Sequence, residues 1–165
     1  MMKLTEVNAM SAEAFEREFG NVAEHSPWVA RCALGARPFK SRGAMVKAFT
    51  RAVTTARQET QLALVRAHPD LATRMKLTNE SLREQKGAGL DALSQQEFSQ
   101  FIHFNELYKA KFGFRFIIAV KGATKQQILK SFEERVKNTQ ETEFAIALAE
   151  ICHILRFRIE DMVSP

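Results

Sequence analysis

The stretch LSQQEFSQFIHFNELYKAKFG, Leu93–Gly113, decides the fold class of this chain. Ser94 and Glu97 have capping-box spacing, in which each side chain bonds the other residue's backbone N–H at the start of a helix. Apolar and aromatic residues then recur at helical spacing: Phe101, Phe104, Leu107 and Tyr108. Gly113 suits the left-handed conformation that ends many helices. The stretch therefore predicts a long amphipathic helix.

Before and after this predicted helix, the sequence predicts further helices that begin with capping residues. Ser11 can cap a helix through AEAFEREF, and Ser41 can begin one long helix that ends at Ala67. Two pairs have capping-box spacing before later helices: Thr124 with Gln127, and Asn138 with Glu141. FRFIIAVKG could be an extended segment, but no partner strand is visible elsewhere. We therefore predict an all-α fold, a single-domain helical bundle of about seven or eight helices over residues 1–165.

The composition and net charge of the chain indicate which classes of protein are not expected. The chain has 165 residues and a net charge of +5, with its basic residues scattered among acidic ones, so a nucleic-acid surface is not expected. No apolar run approaches the roughly 18 residues that span a bilayer, and we expect no secretory signal in the first twenty residues. Cys32 and Cys152 are far apart, and we expect reduced, buried thiols in a cytoplasmic protein.

The stretch AHPDLA, residues 67–72, stops the predicted long helix at a histidine. Because Pro69 crowds the backbone of His68 out of the helical region, the helix should end there. The imidazole could then project into a cleft, and its pKa near neutrality suits proton transfer. The alternative is that His68 only caps the helix and interacts with its dipole.

Two further stretches carry polar groups that could serve a ligand. In SLREQKGAGL, Ser81, Glu84 and Gln85 would supply a hydroxyl, a carboxylate and an amide on one turn, although Ser81 and Glu84 also have capping-box spacing. The glycines there could allow a close approach to a ligand. In NELYKAKFGFRFIIAVKG, the extended tail offers backbone N–H and C=O groups, unless it is only a core-filling connector. The sequence has no metal-spaced cluster and no common cofactor motif.

Together these stretches resemble the OHCU decarboxylase family, whose substrate is 2-oxo-4-hydroxy-4-carboxy-5-ureidoimidazoline (OHCU). HPDLA, SLREQKGAGL and FNELYKAKFGFRFIIAVKG are similar to signature blocks of that family. EHSPWVA with ARPF fits its N-terminal part, and RVKNTQETEFAIALAEICHILRFRI fits its last helices. The resemblance runs from about residue 15 to residue 158, in the family's order. It implies an all-α, cofactor-free and metal-free enzyme of urate breakdown that forms (S)-allantoin and carbon dioxide, and it favours a homodimer.

The resemblance also implies roles for individual residues. The catalytic histidine is His68, with Glu84 as its catalytic partner. The residues implied to bind substrate are Pro69, Ser81, Gln85, Ile117, Ile118, Ala119, Val120, Lys121 and Arg158. Arg156 is the alternative for the C-terminal arginine.

One position departs from the family's pattern. Where the family commonly has FGFPF, this chain has FGFRF, so Arg115 replaces a proline. The change puts the path of this loop in question and adds a positive charge near the implied site. Two other functions stay open: a basic all-α module that binds nucleic acid or protein, and a lyase or hydrolase for a different ureide.

Overall fold

The structure is a computed structural model that describes residues 1–72 and 79–165. Within these residues it contains nine helices and no strand. The helices are α1 (Leu4–Ala9), α2 (Ala12–Phe19), α3 (Trp28–Leu34), α4 (Arg42–Thr54), α5 (Gln58–Ala67), α6 (Asn79–Gly87), α7 (Gln95–Phe112), α8 (Lys125–Arg135) and α9 (Gln140–Met162). The predicted all-α fold is confirmed. In the described ranges, no helix has the length and apolarity that crossing a membrane requires.

The helices divide between two compact units. Unit 1 comprises residues 1–67 and 151–165, and unit 2 comprises residues 68–150. Helix α9 contributes its first part to unit 2 and its second part to unit 1. This division does not test whether the chain folds as one domain, so the single-domain assignment of residues 1–165 stays a prediction.

Unit 1 is built around a cluster of phenylalanines. Phe15 and Phe19 come from α2, with ring centroids 4.8 Å apart, and Phe49 of α4 lies 6.1 Å from Phe15. All three side chains are fully buried, and α3 packs against both α2 and α4. Burial of such rings contributes roughly 1.5–3 kcal/mol each, so this cluster stabilises the unit without any strand.

Unit 2 has its own aromatic core, which α7 and α8 supply. Tyr108 of α7 lies edge-on to Phe116 at 5.2 Å, and Phe116 stacks on Phe132 of α8 at 3.7 Å. The predicted apolar face of α7 was partly wrong, because Leu107 is exposed. The buried face instead comprises Phe101, Asn105, Tyr108 and Phe112.

Most predicted helix starts are confirmed. The side chains of Ser11 and Ser41 accept hydrogen bonds from backbone N–H groups three residues later. Ser94 with Glu97 forms the predicted capping box of α7, and Thr124 with Gln127 forms the predicted capping box of α8.

The start of α9 differs from the prediction, because the hydroxyl of Thr139 accepts a hydrogen bond from the N–H of Thr142. The side chain of Asn138 donates instead to the carboxylate of Glu143, so the predicted capping pair of Asn138 with Glu141 was wrong.

The long helix predicted from Ser41 to Ala67 is interrupted. Helix α4 ends at Thr54, and α5 begins at Gln58. At the break, Nε2 of Gln61 donates to the carbonyl of Val53 at 2.9 Å, and the hydroxyls of Thr54 and Thr55 donate to the carbonyl of Arg51 beside its helical bond from the N–H of Thr55. Side chains therefore bond carbonyls of the last turn of α4, where the helix leaves such groups without partners of its own. Together with the additional helix α1, this break explains why the described part of the chain forms nine helices where about seven or eight were expected.

The thiols differ from the expectation as well. Cys32 is exposed and Cys152 is only partly buried, so the prediction of two buried thiols was wrong. Burial raises the pKa of the Cys152 thiol, which leaves it less nucleophilic than an exposed thiol.

The glycines after α6 have a structural use. Gly89 has φ 75°, and its N–H donates to the carbonyl of Lys86 at 2.9 Å. The N–H of Leu90 donates to the carbonyl of Gln85 at 3.0 Å. These two bonds form a Schellman motif with Gly89 in the left-handed position. Gly87 lies inside the helix, and an added Cβ there would meet nothing within 4 Å.

We therefore expect opposite effects from two neighbouring substitutions. Gly89→Ala should lower the free energy of unfolding by about 1–2 kcal/mol, because alanine disfavours a positive φ. Gly87→Ala should raise it by up to ~1 kcal/mol, because alanine restricts the unfolded chain and favours a helix. Urea unfolding of both variants provides the measurement. Destabilisation of equal size in both would contradict the assigned C-terminal motif of α6.

Candidate active site

His68 lies directly after α5, as the proline that follows it predicted. Helix α5 ends at Ala67, and His68 is only 5% exposed. Nη1 of Arg115 donates a hydrogen bond to the backbone carbonyl of His68. The histidine is therefore a buried residue of a turn whose backbone is held by a side chain from elsewhere in unit 2.

Residues 68–72, here called the histidine turn, are restrained at nearly every position. Asp70 Oδ2 accepts from Nζ of Lys109 at 3.0 Å, and Asn105 Nδ2 donates to the carbonyl of Leu71 at 2.9 Å. The N–H of Ala72 donates to Oε1 of Gln85 at 3.0 Å. Ala72 has φ 56°, a conformation that L-residues adopt at a cost of roughly 1–2 kcal/mol. These side-chain contacts offset that cost.

The predicted polar trio lies on one face of α6. Ser81 and Gln85 are buried, and Glu84 is half-buried between them. Ser81 is the third residue of the helix and not its cap, so the alternative capping-box reading of Ser81 and Glu84 was wrong. Gln85 connects this face to the histidine turn through Ala72. The structure thus brings His68, Pro69 and the α6 trio into the same unit.

The segment of residues 117–121 follows the core aromatics and contains no helix or strand. The carbonyl of Ile117 accepts from Nη1 of Arg135 at 2.7 Å, and the N–H of Ala119 donates to Glu150 at 2.7 Å. The carbonyl of Val120 accepts from the N–H of Ala123 at 3.0 Å. Ile118 is half-buried and Lys121 is exposed. Three backbone groups that were predicted to face a ligand therefore bond within the protein, and they fix the path of this segment.

Glu143, which is fully buried in α9, organises the residues behind this segment. Its carboxylate accepts from the hydroxyl of Tyr108, from Arg135 at 3.0 Å and from Nδ2 of Asn138 at 2.8 Å. Burial, together with this hydrogen bond to the carboxylate, raises the pKa of the Tyr108 phenol, so the tyrosine stays a neutral donor. The Arg135 guanidinium also lies 4.3 Å above the ring of Phe116. Glu143 therefore orients the arginine that holds Ile117.

Arg158 belongs to unit 1. Its guanidinium is almost fully buried, and Nη1 lies 3.1 Å from Oε2 of the buried Glu24 and 3.1 Å from the carbonyl of Val22. The alternative residue, Arg156, is exposed and lies over the ring of Phe157. Of the two arginines, only Arg158 is held in a fixed position by a buried carboxylate.

Several contacts that hold these segments were not predicted from the sequence, although Arg115 itself was noted as a departure from the family's pattern. Asp70, Asn105, Lys109 and Arg115 restrain the histidine turn, and Arg135 restrains Ile117. All five lie in or beside the stretches quoted above, but their partners are distant along the chain. Among residues 1–72 and 79–165, no group of three or more potential metal ligands lies together.

Comparisons with known proteins give the fold a family. The chain matches the crystal structure of an (S)-allantoin synthase with a TM-score of 0.80 and 25% identity, over 98% of this chain and 54% of that one. It matches a crystal structure of OHCU decarboxylase in the presence of (S)-allantoin with a TM-score of 0.73 and 25% identity, over 88% and 96%. The helical fold is therefore one that enzymes with these two names share.

The sequence matches identify the family. The family model described as OHCU decarboxylase matches residues 8–160. The chain is 41% identical to the 2-oxo-4-hydroxy-4-carboxy-5-ureidoimidazoline decarboxylase of Haloferax volcanii, over 99% of this chain and 97% of that protein. It is also 41% identical to the uric acid degradation bifunctional protein PucL of Bacillus subtilis, over 99% of this chain. It spans about a third of the length of that bifunctional relative. The chain belongs to the OHCU decarboxylase family.

The buried carboxylate network yields a prediction about stability. Glu143→Gln keeps the side-chain shape but leaves Arg135 without its charged partner, so the free energy of unfolding should fall by about 3 kcal/mol. Glu134→Gln is the matched control, because Glu134 pairs with Lys130 on the surface at 3.8 Å and should change stability by less than ~0.5 kcal/mol. Chemical denaturation measures both. Equal losses in the two variants would be incompatible with a central role for Glu143.

Proposed function

We propose that this chain decarboxylates 2-oxo-4-hydroxy-4-carboxy-5-ureidoimidazoline to (S)-allantoin and carbon dioxide in urate degradation, with His68 as the acid–base catalyst. Membership of the OHCU decarboxylase family supports the substrate and the reaction. The observation that carries the assignment to His68 is the histidine turn, where a buried histidine follows a helix and side chains from α6, α7 and Arg115 fix the backbone of the turn.

The chemistry requires controlled movement of protons. When carbon dioxide leaves, an electron pair stays on the ring carbon that carried it. This pair delocalises into the unsaturated part of the same ring. The hydroxyl on that carbon then becomes the carbonyl of allantoin, and one face of the neighbouring carbon receives a proton. A single imidazole can accept one proton and deliver the other. We propose that no metal or organic cofactor takes part, because the substrate provides its own electron acceptor.

The α6 trio would orient the substrate and the catalyst. Glu84 would support the imidazole electrostatically or accept hydrogen bonds from ureido N–H groups. Ser81 and Gln85 are buried on the same face, and Gln85 also holds Ala72, so their polar atoms have restricted positions. A restricted donor or acceptor loses less freedom when substrate binds, which favours a reactive geometry.

The backbone of residues 117–121 would bind the ring, and Pro69 would contact it beside the catalyst. Contacts from Arg135 and Glu150 fix this backbone, and a fixed backbone can discriminate between the faces of a planar ring. Arg158 would offer its planar guanidinium to an anionic or carbonyl oxygen of the substrate. Its buried partner Glu24 would keep that group from turning.

We propose further that the enzyme works in the cytoplasm as a homodimer and takes a small-molecule substrate, without nucleic acid or membrane as a partner. Scattered basic residues beside acidic ones support this preference over a nucleic-acid-binding module.

Replacement of His68 tests the proposed catalyst. His68→Asn keeps a polar side chain that is tolerated at a helix end, so the melting temperature should stay near the wild-type value. Loss of the titratable group should lower the rate of allantoin formation by ~10²–10⁴-fold. The assay generates the substrate from urate in situ and measures the rate with both proteins. A folded His68→Asn protein with wild-type turnover would refute acid–base catalysis by His68.

Glu84 is tested in the same assay. Glu84→Gln keeps the size and helix preference of the side chain but removes its charge, so turnover should fall by at least ~10-fold with little change in stability. Glu133→Gln, on an exposed position of α8, provides a control for loss of one carboxylate. Full activity of Glu84→Gln would remove Glu84 from the proposed mechanism.

A further inference from the structure

Arg115 contacts two parts of the histidine turn at once. Nη1 donates to the carbonyl of His68, and Nε lies 3.6 Å from Oδ1 of Asp70. We propose that Arg115 is a positioning residue that sets the orientation of the His68 imidazole, and this inference rests on the proposed role of His68 as catalyst. Arg115 acts through the backbone of the turn and is not itself proposed to touch substrate.

The His68 carbonyl has special importance in this turn. It follows the last residue of α5, where helix carbonyls lack partners within the helix. The next residue, Pro69, has no N–H and restricts His68 to extended backbone angles. Once a donor fixes the carbonyl as well, the peptide plane between His68 and Pro69 is set. A fixed backbone at this residue narrows the positions open to its imidazole, which favours one reactive geometry.

Asp70 gives Arg115 a second point of attachment. Oδ1 of Asp70 is buried, and within residues 1–72 and 79–165 no donor bonds it, so the guanidinium 3.6 Å away acts on it mainly through charge. Lys109 contacts the other oxygen, Oδ2, and also pairs with Glu106 at 2.7 Å. Lys109 therefore holds Asp70, whereas Arg115 contacts both Asp70 and the backbone carbonyl of His68. Lys109 and Arg115 therefore restrain different parts of the histidine turn.

Arg115 is well placed to hold the turn because its own backbone is fixed. Its neighbours Phe114 and Phe116 are both buried in the unit 2 core. Ile117, two residues later, is held by Arg135 and begins the segment proposed to bind the ring. Arg115 thus connects the proposed ring-binding backbone with the turn that carries the catalyst, within one unit of the structure.

The expected kinetic result separates positioning from binding. Arg115→Met keeps the aliphatic stem but loses the donors, so the imidazole should occupy several orientations. We expect kcat to fall ~10- to 100-fold, because a small misplacement of a catalytic group has effects of this size. KM should change by less than about threefold, because the proposed substrate-binding groups stay in place.

A matched control is available in Lys111→Met. Lys111 is a nearby exposed cation that also donates to a backbone carbonyl, that of Val136 at 2.6 Å, but this carbonyl lies outside the histidine turn. The control removes the same charge and should leave kcat and KM unchanged. A kcat for Arg115→Met within twofold of wild type, or an equal loss in Lys111→Met, would overturn the proposal.

A second measurement does not depend on the reaction. The chain has four histidines, so the ring signals of isotopically labelled histidine can be assigned by substitution and followed by NMR. Arg115→Met should shift or broaden the His68 signals, whereas Lys111→Met should leave them at their wild-type positions. Unchanged His68 signals in Arg115→Met would overturn the proposal. If Arg115→Met does not fold, Arg115→Lys takes its place in both measurements, because a lysine cannot bond the carbonyl and Asp70 in the same fork geometry.

The two measurements distinguish this inference from the proposed function. If wild-type protein forms no (S)-allantoin, the proposed function is wrong, and the NMR comparison still decides whether Arg115 orients His68. If His68→Asn is inactive but Arg115→Met has wild-type kinetics and NMR signals, the proposed function stands and the role of Arg115 is wrong.

Discussion

The structure of the proposed site depends on a proline that follows a histidine. Pro69 ends α5 and lacks an N–H, so the buried turn that begins at His68 cannot satisfy its own polar groups by helical bonding. Buried backbone groups without partners are costly, and side chains from elsewhere in unit 2 therefore bond this turn. Gln85, Asn105 and Arg115 each bond one backbone group of the turn. The same contacts that satisfy the turn also fix the position of its histidine.

A second constraint acts on the backbone proposed to bind the ring. Residues 117–121 have no helix or strand to order them, and the charged side chains of Arg135, Glu143 and Glu150 do so instead. Glu143 orients Arg135, which bonds Ile117, and Glu150 bonds Ala119. A buried ion pair stabilises little by itself, because desolvation offsets most of its attraction. Here the ion pair between Glu143 and Arg135 restricts the irregular segment of residues 117–121 to one conformation.

The sequence predicted what depends on neighbours along the chain. Capping residues such as Ser94 and Thr124 act within three residues of themselves, and Pro69 acts on the residue before it, so each was predictable. The break between α4 and α5 was missed, because apolar spacing does not record side chains such as Gln61 that bond carbonyls at the end of α4.

Long-range partners were less predictable. Arg115 was recognised as a departure from the family, but its bond to His68 joins residues 47 positions apart. Arg158 was assigned through the family resemblance, and its burial against Glu24, 134 positions away, was not predictable from helical spacing. In the same way, the backbone of Ile117 to Val120 was expected to be available to a ligand, whereas three of its groups bond within the protein. Such pairs depend on tertiary packing, which patterns between neighbouring residues do not reveal.

The central claim is that a fixed imidazole controls one proton transfer on one face of the substrate. The most direct measurement is the handedness of allantoin formed by the wild-type protein when urate is oxidised and hydrolysed in the same cuvette, followed by circular dichroism. The account predicts rapid accumulation of (S)-allantoin that scales with protein concentration. Slow formation of racemic allantoin at the rate seen without the protein would contradict it.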